Sequence, residues 1–349
     1  MELEKVNRLP MPTWRYLRTN DSPLPFAMPA RPAKAVWSDA SYLAAGAALP
    51  ENFEGASPAW KDAAASGEAY TVRIPAGEKV VLRADIVMDA ASPDYAGTYV
   101  FRVGKGAELR LVWSWKGGGE AGVCALAAAY ELEEGAVLHV SAAEEGLSGK
   151  LLCTQRAARA AAGARADFVS ADLGGQTVIT HSRGWLEGKG AVMHEYGLYA
   201  AGGRQVLDLF YHIDHTGKET ESDIEVKGAL SGEAKKVFRS TIDFKRGCSG
   251  AEGSEGDYAI QLDPRTKNIS LPLLLCTEDN VSGNHASSAG QIDPGTVYYL
   301  MSRGLTKEEA RRIVVESLIR PLIDRLDESL REDVLAGVRA KLDAEGGEL

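Results

Sequence analysis

From Tyr70 onward the chain alternates apolar and polar residues in short runs. Tyr70-Thr-Val-Arg-Ile74, Val80–Ile86, Tyr99–Val103, Leu109–Trp113 and Val137–Val140 all carry period-two character with β-branched members. This pattern predicts strands. A repeat underlies them. Gly77 of Ile74-Pro-Ala-Gly77, Gly106 of Val103-Gly-Lys-Gly106 and Gly135 of Leu132-Glu-Glu-Gly135 each precede an apolar run, and the three lie 29 residues apart. One corner glycine and one apolar strand per fixed period predict a solenoid, whose turns bury their apolar faces by stacking. Hairpins of an ordinary sandwich are the alternative. Cys124 and Cys153 are also 29 residues apart and are expected in equivalent inward slots of neighbouring turns.

Leu151–Ala166 is Ala/Arg-rich and reads either as helix or as the start of a strand, since alternation resumes at Asp167. Further strands are predicted at Thr177–Thr180, Ala191–Tyr199, Gln205–Ile213, Asp223–Val226 and Val237–Phe244, with the strand-rich region ending at Leu271–Leu275. Residues 1–69 are loop-rich, because six prolines between Pro10 and Pro32 exclude long regular elements. Trp14, Tyr16 and Leu17 offer an apolar anchor there. A short helix is expected over Pro58–Ala65, with Ser57 as N-cap.

After Pro294 the pattern turns helical. Thr296–Met301 forms one helix, stopped by Gly304 at the position that favours positive φ. Thr306-Lys-Glu-Glu309 is a capping box for the next, which Pro321 should kink or break. Ser329-Leu-Arg-Glu332 reads as a second capping box, and the tail from Gly346 as frayed. The expected division is 1–69, a β-solenoid core over 70–294, and a helical segment over 295–349. The chain is thus mainly β.

Of the 349 residues 45% are hydrophobic, enough for one large core. The formal net charge of −10 argues against nucleic acid or a membrane surface as partner. Met1–Pro12 lacks a signal-peptide apolar region and no run approaches a membrane span, so a cytoplasmic location is expected. The four cysteines form no C-x-x-C pair. A P-loop is lacking: Gly184–Gly190 is one residue short before its Gly-Lys and has no Ser or Thr after it. Neither G-x-S-x-G nor H-E-x-x-H occurs, which weakens an enzymatic reading. In His212-Ile-Asp-His215, strand alternation puts His212 and Asp214 on one face and His215 on the other, so the tetrapeptide alone makes a poor metal site. Cys276–Asp293 combines a thiol, an imidazole and three carboxylates between the last strand and the helices. It reads as a polar connector, although imidazole and thiolate both suit iron.

The same segment carries a family resemblance. Val281-Ser-Gly-Asn-His285-Ala-Ser-Ser-Ala-Gly290-Gln-Ile-Asp293, leading into Val297-Tyr-Tyr-Leu-Met-Ser-Arg303-Gly304 and on to Ala310, resembles the C-terminal signature of the SufB/SufD family. Val6–Asn20 resembles the opening of one SufD branch, and His215-x4-Thr220-x-Ser222 a mid-chain family segment. The resemblance implies a right-handed parallel β-helix with helical ends and a non-catalytic scaffold role in iron–sulfur cluster assembly. It further implies a heteromeric complex with a SufB-like subunit and a SufC-like ATPase, which supplies the nucleotide chemistry. The ATPase is expected on the helices from Tyr298 to Leu342, with Tyr298, Tyr299, Arg303, Gly304 and Ala310 as docking residues. His285 is the implied ligand of a transient cluster at the subunit interface, and Cys276 a second candidate. Ala286 replaces the Glu common after this histidine in SufB, and Gly283 replaces the cysteine of many SufD chains, so the pattern favours SufD. A SufB-like homodimeric scaffold is the alternative within the family. A secreted-type carbohydrate-active β-helix using Asp208 and Asp214 is the alternative outside it.

Overall fold

The structure, a computed structural model, describes residues 2–13, 16 and 18–345. Two parallel sheets wind together as one β-solenoid of about eight turns. Each turn contributes one strand to each sheet. Sheet one contains β6 (Glu68–Ile74), β8 (Asp94–Val103), β10 (Gly122–Leu132), β12 (Lys150–Ala160), β14 (Thr177–Leu186), β16 (Val206–His215), β18 (Lys235–Phe244) and β20 (Lys267–Cys276). Sheet two contains β7 (Lys79–Met88), β9 (Glu108–Gly117), β11 (Val137–Glu145), β13 (Arg165–Asp172), β15 (Val192–Ala201), β17 (Glu221–Leu230), β19 (Ala251–Gln261) and β21 (Val281–Gly290). Short strands close the first end: β3 (Pro32–Ala33) and β5 (Leu43–Ala45) on sheet one, β4 (Val36–Trp37) on sheet two.

Parallel in-register pairing explains why the repeat is visible in sequence. Equivalent residues stack turn upon turn, so Phe101 and Tyr130 stack inside the solenoid, with Phe168 and Trp113 of sheet two meeting them edge-on across the interior. The corner glycines are needed for backbone conformation, not for space. Gly106 has φ 64° and open surroundings, so only the missing Cβ penalty selects it. Gly188 is the opposite case, since a Cβ there would lie 1.9 Å from the Ala162 nitrogen of the turn below.

Several sequence expectations change. Leu151–Ala166 is not helical: it supplies β12 and the start of β13, because the ladders with β10 and β14 outweigh its helix propensity. The register there pairs Cys124 with Leu152 and Ala125 with Cys153. That one-residue slip sends Cys153 to the outer face, under the N-terminal segment, while Cys124 stays in the inner core. The polar segment after Cys276 is no connector. Its Gly-, Ser- and Ala-rich residues form β21, held by a full ladder to β19 in spite of weak β propensity. Pro321 lies in the last turn of its helix, which ends at Ile323 without an earlier break.

The N-terminal segment lies across the outer face of sheet one. Its hairpin, β1 (Glu2–Val6) with β2 (Ser22–Phe26), is clasped by a buried network. Arg239 donates to both oxygens of Asp208 at 2.8 and 2.9 Å, to Ser22 Oγ at 2.9 Å and to the Thr19 carbonyl at 2.9 Å. Asn7 Nδ2 donates to the same carboxylate at 2.8 Å. Asp208 is thereby committed to holding the hairpin, which leaves it unavailable for sugar chemistry. Helix α1 (Pro58–Ala65) is capped by Ser57 as expected and buries Trp60 completely against β8, β10 and β12. Trp14 and Leu17 of the expected anchor lie outside the described residues, as does the tail 346–349, and Tyr16 is 75% exposed.

At the C-terminal side, α2 (Pro294–Ser302) is capped by Asp293 and followed by Gly304 with φ 98°. The Thr306–Glu309 capping box opens α3 (Lys307–Ile323). Helix α4 (Glu328–Glu345) starts one residue before the expected Ser329 cap, because Asp327 Oδ1 accepts from the Ser329 amide at 3.0 Å and takes that role. Ile319, Leu322, Leu326, Leu330, Val334 and Val338 pack α3 and α4 onto the outer face of sheet two. No helix among the described residues is long and apolar enough to cross a membrane.

Candidate functional site at the open end of the solenoid

The last turn leaves both sheets unfinished. β20 pairs only with β18 and β21 only with β19, so each presents an unpaired backbone edge. β20 is half-exposed along most of its length, including Leu271, Leu273, Leu274 and Leu275, and β21 is exposed almost throughout. An uncovered edge of this length, flanked by apolar residues, is a template for another strand.

His285 stands in the middle of β21, where register places it beside Glu255 of β19. Both belong to the column facing the solenoid interior: a Cβ at the alternate residue Gly253 would touch Ile242 and Phe244, and one at Gly283 would touch Phe244. His285 is exposed because no turn follows it. Glu255 is buried one turn deeper, and neither of its carboxylate oxygens has a hydrogen-bond partner. Burial pushes the Glu255 carboxyl up to about 7. Beyond it Lys236 and Asp257 form a fully buried ion pair, with the ammonium 5.0 Å from the centre of the Tyr199 ring. The open end therefore presents an imidazole backed by a protonatable carboxyl and a charged pair. Glu255, Asp257 and Lys236 were missed by the sequence reading. Their signal lies in the spacing of about one turn between Glu255 and His285, visible only once β21 is recognised as a strand.

Cys276 ends β20 at the corner, exposed, with its thiol donating to the Glu278 carbonyl at 2.9 Å. It does not join His285 in any three-residue group of metal-ligating side chains among the described residues. Tyr298 and Tyr299 are 75% and 55% exposed on α2, a helix with no buried residue at all. The Arg303 guanidinium lies 5.3 Å from the centre of the Tyr299 ring. Ala310 is fully buried on the inner side of α3, so it packs the helix and offers no docking surface. The mid-chain segment has a structural explanation. His215 Nδ1 bonds Thr220 Oγ1 at 2.7 Å and Nε2 bonds Ser222 Oγ at 2.8 Å, clasping a solenoid corner.

The chain is thus a parallel β-solenoid whose last turn is uncovered on both sheets, followed by a helical segment. Residues 87–318 match the family model for the SUF system FeS cluster assembly SufBD core domain. The chain belongs to the SufBD family. It is 31% identical over 141 residues to the iron–sulfur cluster assembly protein SufD of Bacillus subtilis, covering 40% of this chain and 32% of that one. A SufBD family protein of Mycobacterium bovis is 27% identical over 175 residues (50% of this chain, 21% of the relative), and one of Staphylococcus saprophyticus 28% over 160 residues (46% and 34%). The matched stretches span about a third or less of these relatives' own lengths.

Proposed function

We propose that the chain is a SufD-type scaffold subunit that couples an ATPase partner's motion to cluster assembly at an interface built on β20 and β21. The observation that carries this reading is the unpaired edge with His285 at its centre, facing inward beside Glu255. A SufB-like subunit laying strands along this edge would enclose His285 and bring its own ligands to it. The iron–sulfur cluster is cargo there, passing through the interface. His285 would bind iron through a ring nitrogen.

Exposed Tyr298, Tyr299 and Met301 on α2, with Ile313 on α3, form the apolar face offered to a SufC-like ATPase. Exposed aromatics on an otherwise unpacked helix suit a docking role. Arg303 and Gly304 hold the turn between that face and α3, and α3 is anchored to sheet two. A pull on α2 is thus transmitted toward the solenoid through a short lever.

The test is co-purification with the SufB-like and SufC-like subunits of the same organism, followed by anaerobic reconstitution with iron and sulfide. A three-component complex whose cluster absorbance falls on His285→Ala is expected. Unchanged absorbance in that variant removes the ligand role, and failure to bind the ATPase removes the scaffold role. The open edge fits a second copy of the same chain equally well. A self-associating chain that binds the ATPase without a SufB-like partner would establish the homodimeric reading instead.

A further inference from the structure

A second polar cluster lies on the outer face of sheet one, away from the open end. His212 and Asp214 alternate along β16 with the core residues Tyr211 and Ile213, and register sets Asp214 beside Asp243 of β18. One ligating atom from each of His212, Asp214 and Asp243 lies within 4.8 Å of the others, and all three residues are buried. The sequence alone made His212–His215 a poor site because His215 faces the core. The third donor comes from the next turn of the solenoid.

Two features separate this cluster from an ordinary ion-pair network. The first is a set of orphaned atoms. Neither ring nitrogen of His212 has a hydrogen-bond partner, although the residue is only 2% exposed. Thr241 Oγ1, on the register partner of His212, is also without one, and Asp214 Oδ1 has only long contacts of 3.4 Å. His212 Nε2 has only a long contact, 3.4 Å to Asp214 Oδ1, and Nδ1 has none. A buried polar group left without a partner is costly. A metal ion satisfies an imidazole nitrogen and a carboxylate oxygen at one stroke.

The second feature is the cation now in place. Arg183 is fixed, bonded to Asp214 Oδ2 at 3.0 Å and to Glu54 at 2.8 Å. Lys245 pairs with Asp243 and lies 3.4 Å from Asp214 Oδ1, yet 45% of its side chain is exposed. Its stem marks a route from the cluster to solvent. With Lys245 withdrawn, the carboxylates of Asp214, Asp243 and Glu54 face only Arg183. Two negative charges then remain, which a dication cancels.

We propose that His212, Asp214 and Asp243 form a site for a divalent first-row metal ion of the zinc class, which replaces the Lys245 ammonium. One neutral imidazole with two carboxylates is a donor set that suits Zn²⁺, with Co²⁺ as its spectroscopic substitute. The ion ties β16 to β18, the same two strands through which Asp208 and Arg239 hold the N-terminal hairpin. This inference is independent of the role given to His285.

The experiment uses the tag-free chain carrying His285→Ala and Cys276→Ser, so that the open end contributes neither ligand. After chelator treatment, Co²⁺ is titrated and followed by its visible absorption, with Zn²⁺ as competitor. Melting temperature in chelator reports whether each variant folds. One ion per chain is expected, with affinity reduced at least tenfold by His212→Gln and by Asp243→Asn. Lys245→Ala, which removes the competing ammonium, is expected to tighten binding severalfold. No stoichiometric binding, or binding that both ligand variants leave unchanged, overturns the site. Unchanged affinity in the Lys245→Ala chain overturns the displacement.

Discussion

Replacing Glu255 with Gln removes one titratable group from the solenoid interior while keeping its shape. In the folded chain its carboxyl is pushed up to about 7 by burial, against an ordinary 4.5. The folded state therefore holds this proton more tightly than the unfolded state does. Unfolding releases it between those two values, so its contribution makes stability fall as pH rises from 4.5 to about 7 and level off above. The difference corresponds to about 3 kcal/mol once the group is fully ionised in both states. Glu255→Gln should match the parent chain near pH 4.5, within the small cost of the substitution. At pH 8.5 it should be more stable by up to about 3 kcal/mol. Urea denaturation followed by circular dichroism across this range measures the difference directly. All other titrating groups cancel when the two chains are compared at the same pH. A difference that stays constant with pH, or that opens on the acid side, would refute the argument that Glu255 is buried without a partner.

Arg239→Ala should destabilise by about 3–5 kcal/mol, because it leaves the buried Asp208 carboxylate short of its cation. It should also render residues near the hairpin sensitive to limited proteolysis. Trp60→Ala should cost about 3–5 kcal/mol in the same assay, since the indole is fully buried where α1 docks. Native thiol titration should find one fast cysteine of four, abolished by Cys276→Ser, because Cys124, Cys153 and Cys248 are buried. Burial depresses His215 to about 4, so the folded state holds fewer protons than the unfolded state between 6.5 and 4. Its contribution to stability is lost as pH falls through that window, and His215→Asn should flatten that acid limb of the stability curve.

The solenoid was legible because parallel stacking repeats the same demands at each turn. Corner glycines at Gly77, Gly106 and Gly135 answer to backbone conformation alone, and the aromatic and aliphatic strands between them answer to one shared core. The signal faded where the demand weakened. β21 has a partner on one side only, so Gly, Ser and Ala suffice and the run looks like a connector. Strands β10 and β19 are rich in Ala and Gly for a different reason, being packed between close neighbours, and also passed unmarked. The Cys124–Cys153 spacing misled because the turn between them has one residue fewer than the preceding repeat, which local pattern does not reveal. Of the open end, His285 was found through its motif. Glu255, Lys236 and Asp257 were not, because a lumen is defined by residues one turn apart, and no local window contains two of them.

The two ends of the solenoid are not alike. At the first end the sheets stop at β5 and β4, strands of three and two residues that run antiparallel to their neighbours. At the other, β20 and β21 offer ten residues each. Strand addition is thus possible in one direction only. A block sticky at both ends would grow into fibres without limit; a block sticky at one end stops after a single joining event. With the interface proposed above, the short strands at the first end would hold a repeat architecture, which has no intrinsic stopping point, to a single joining event.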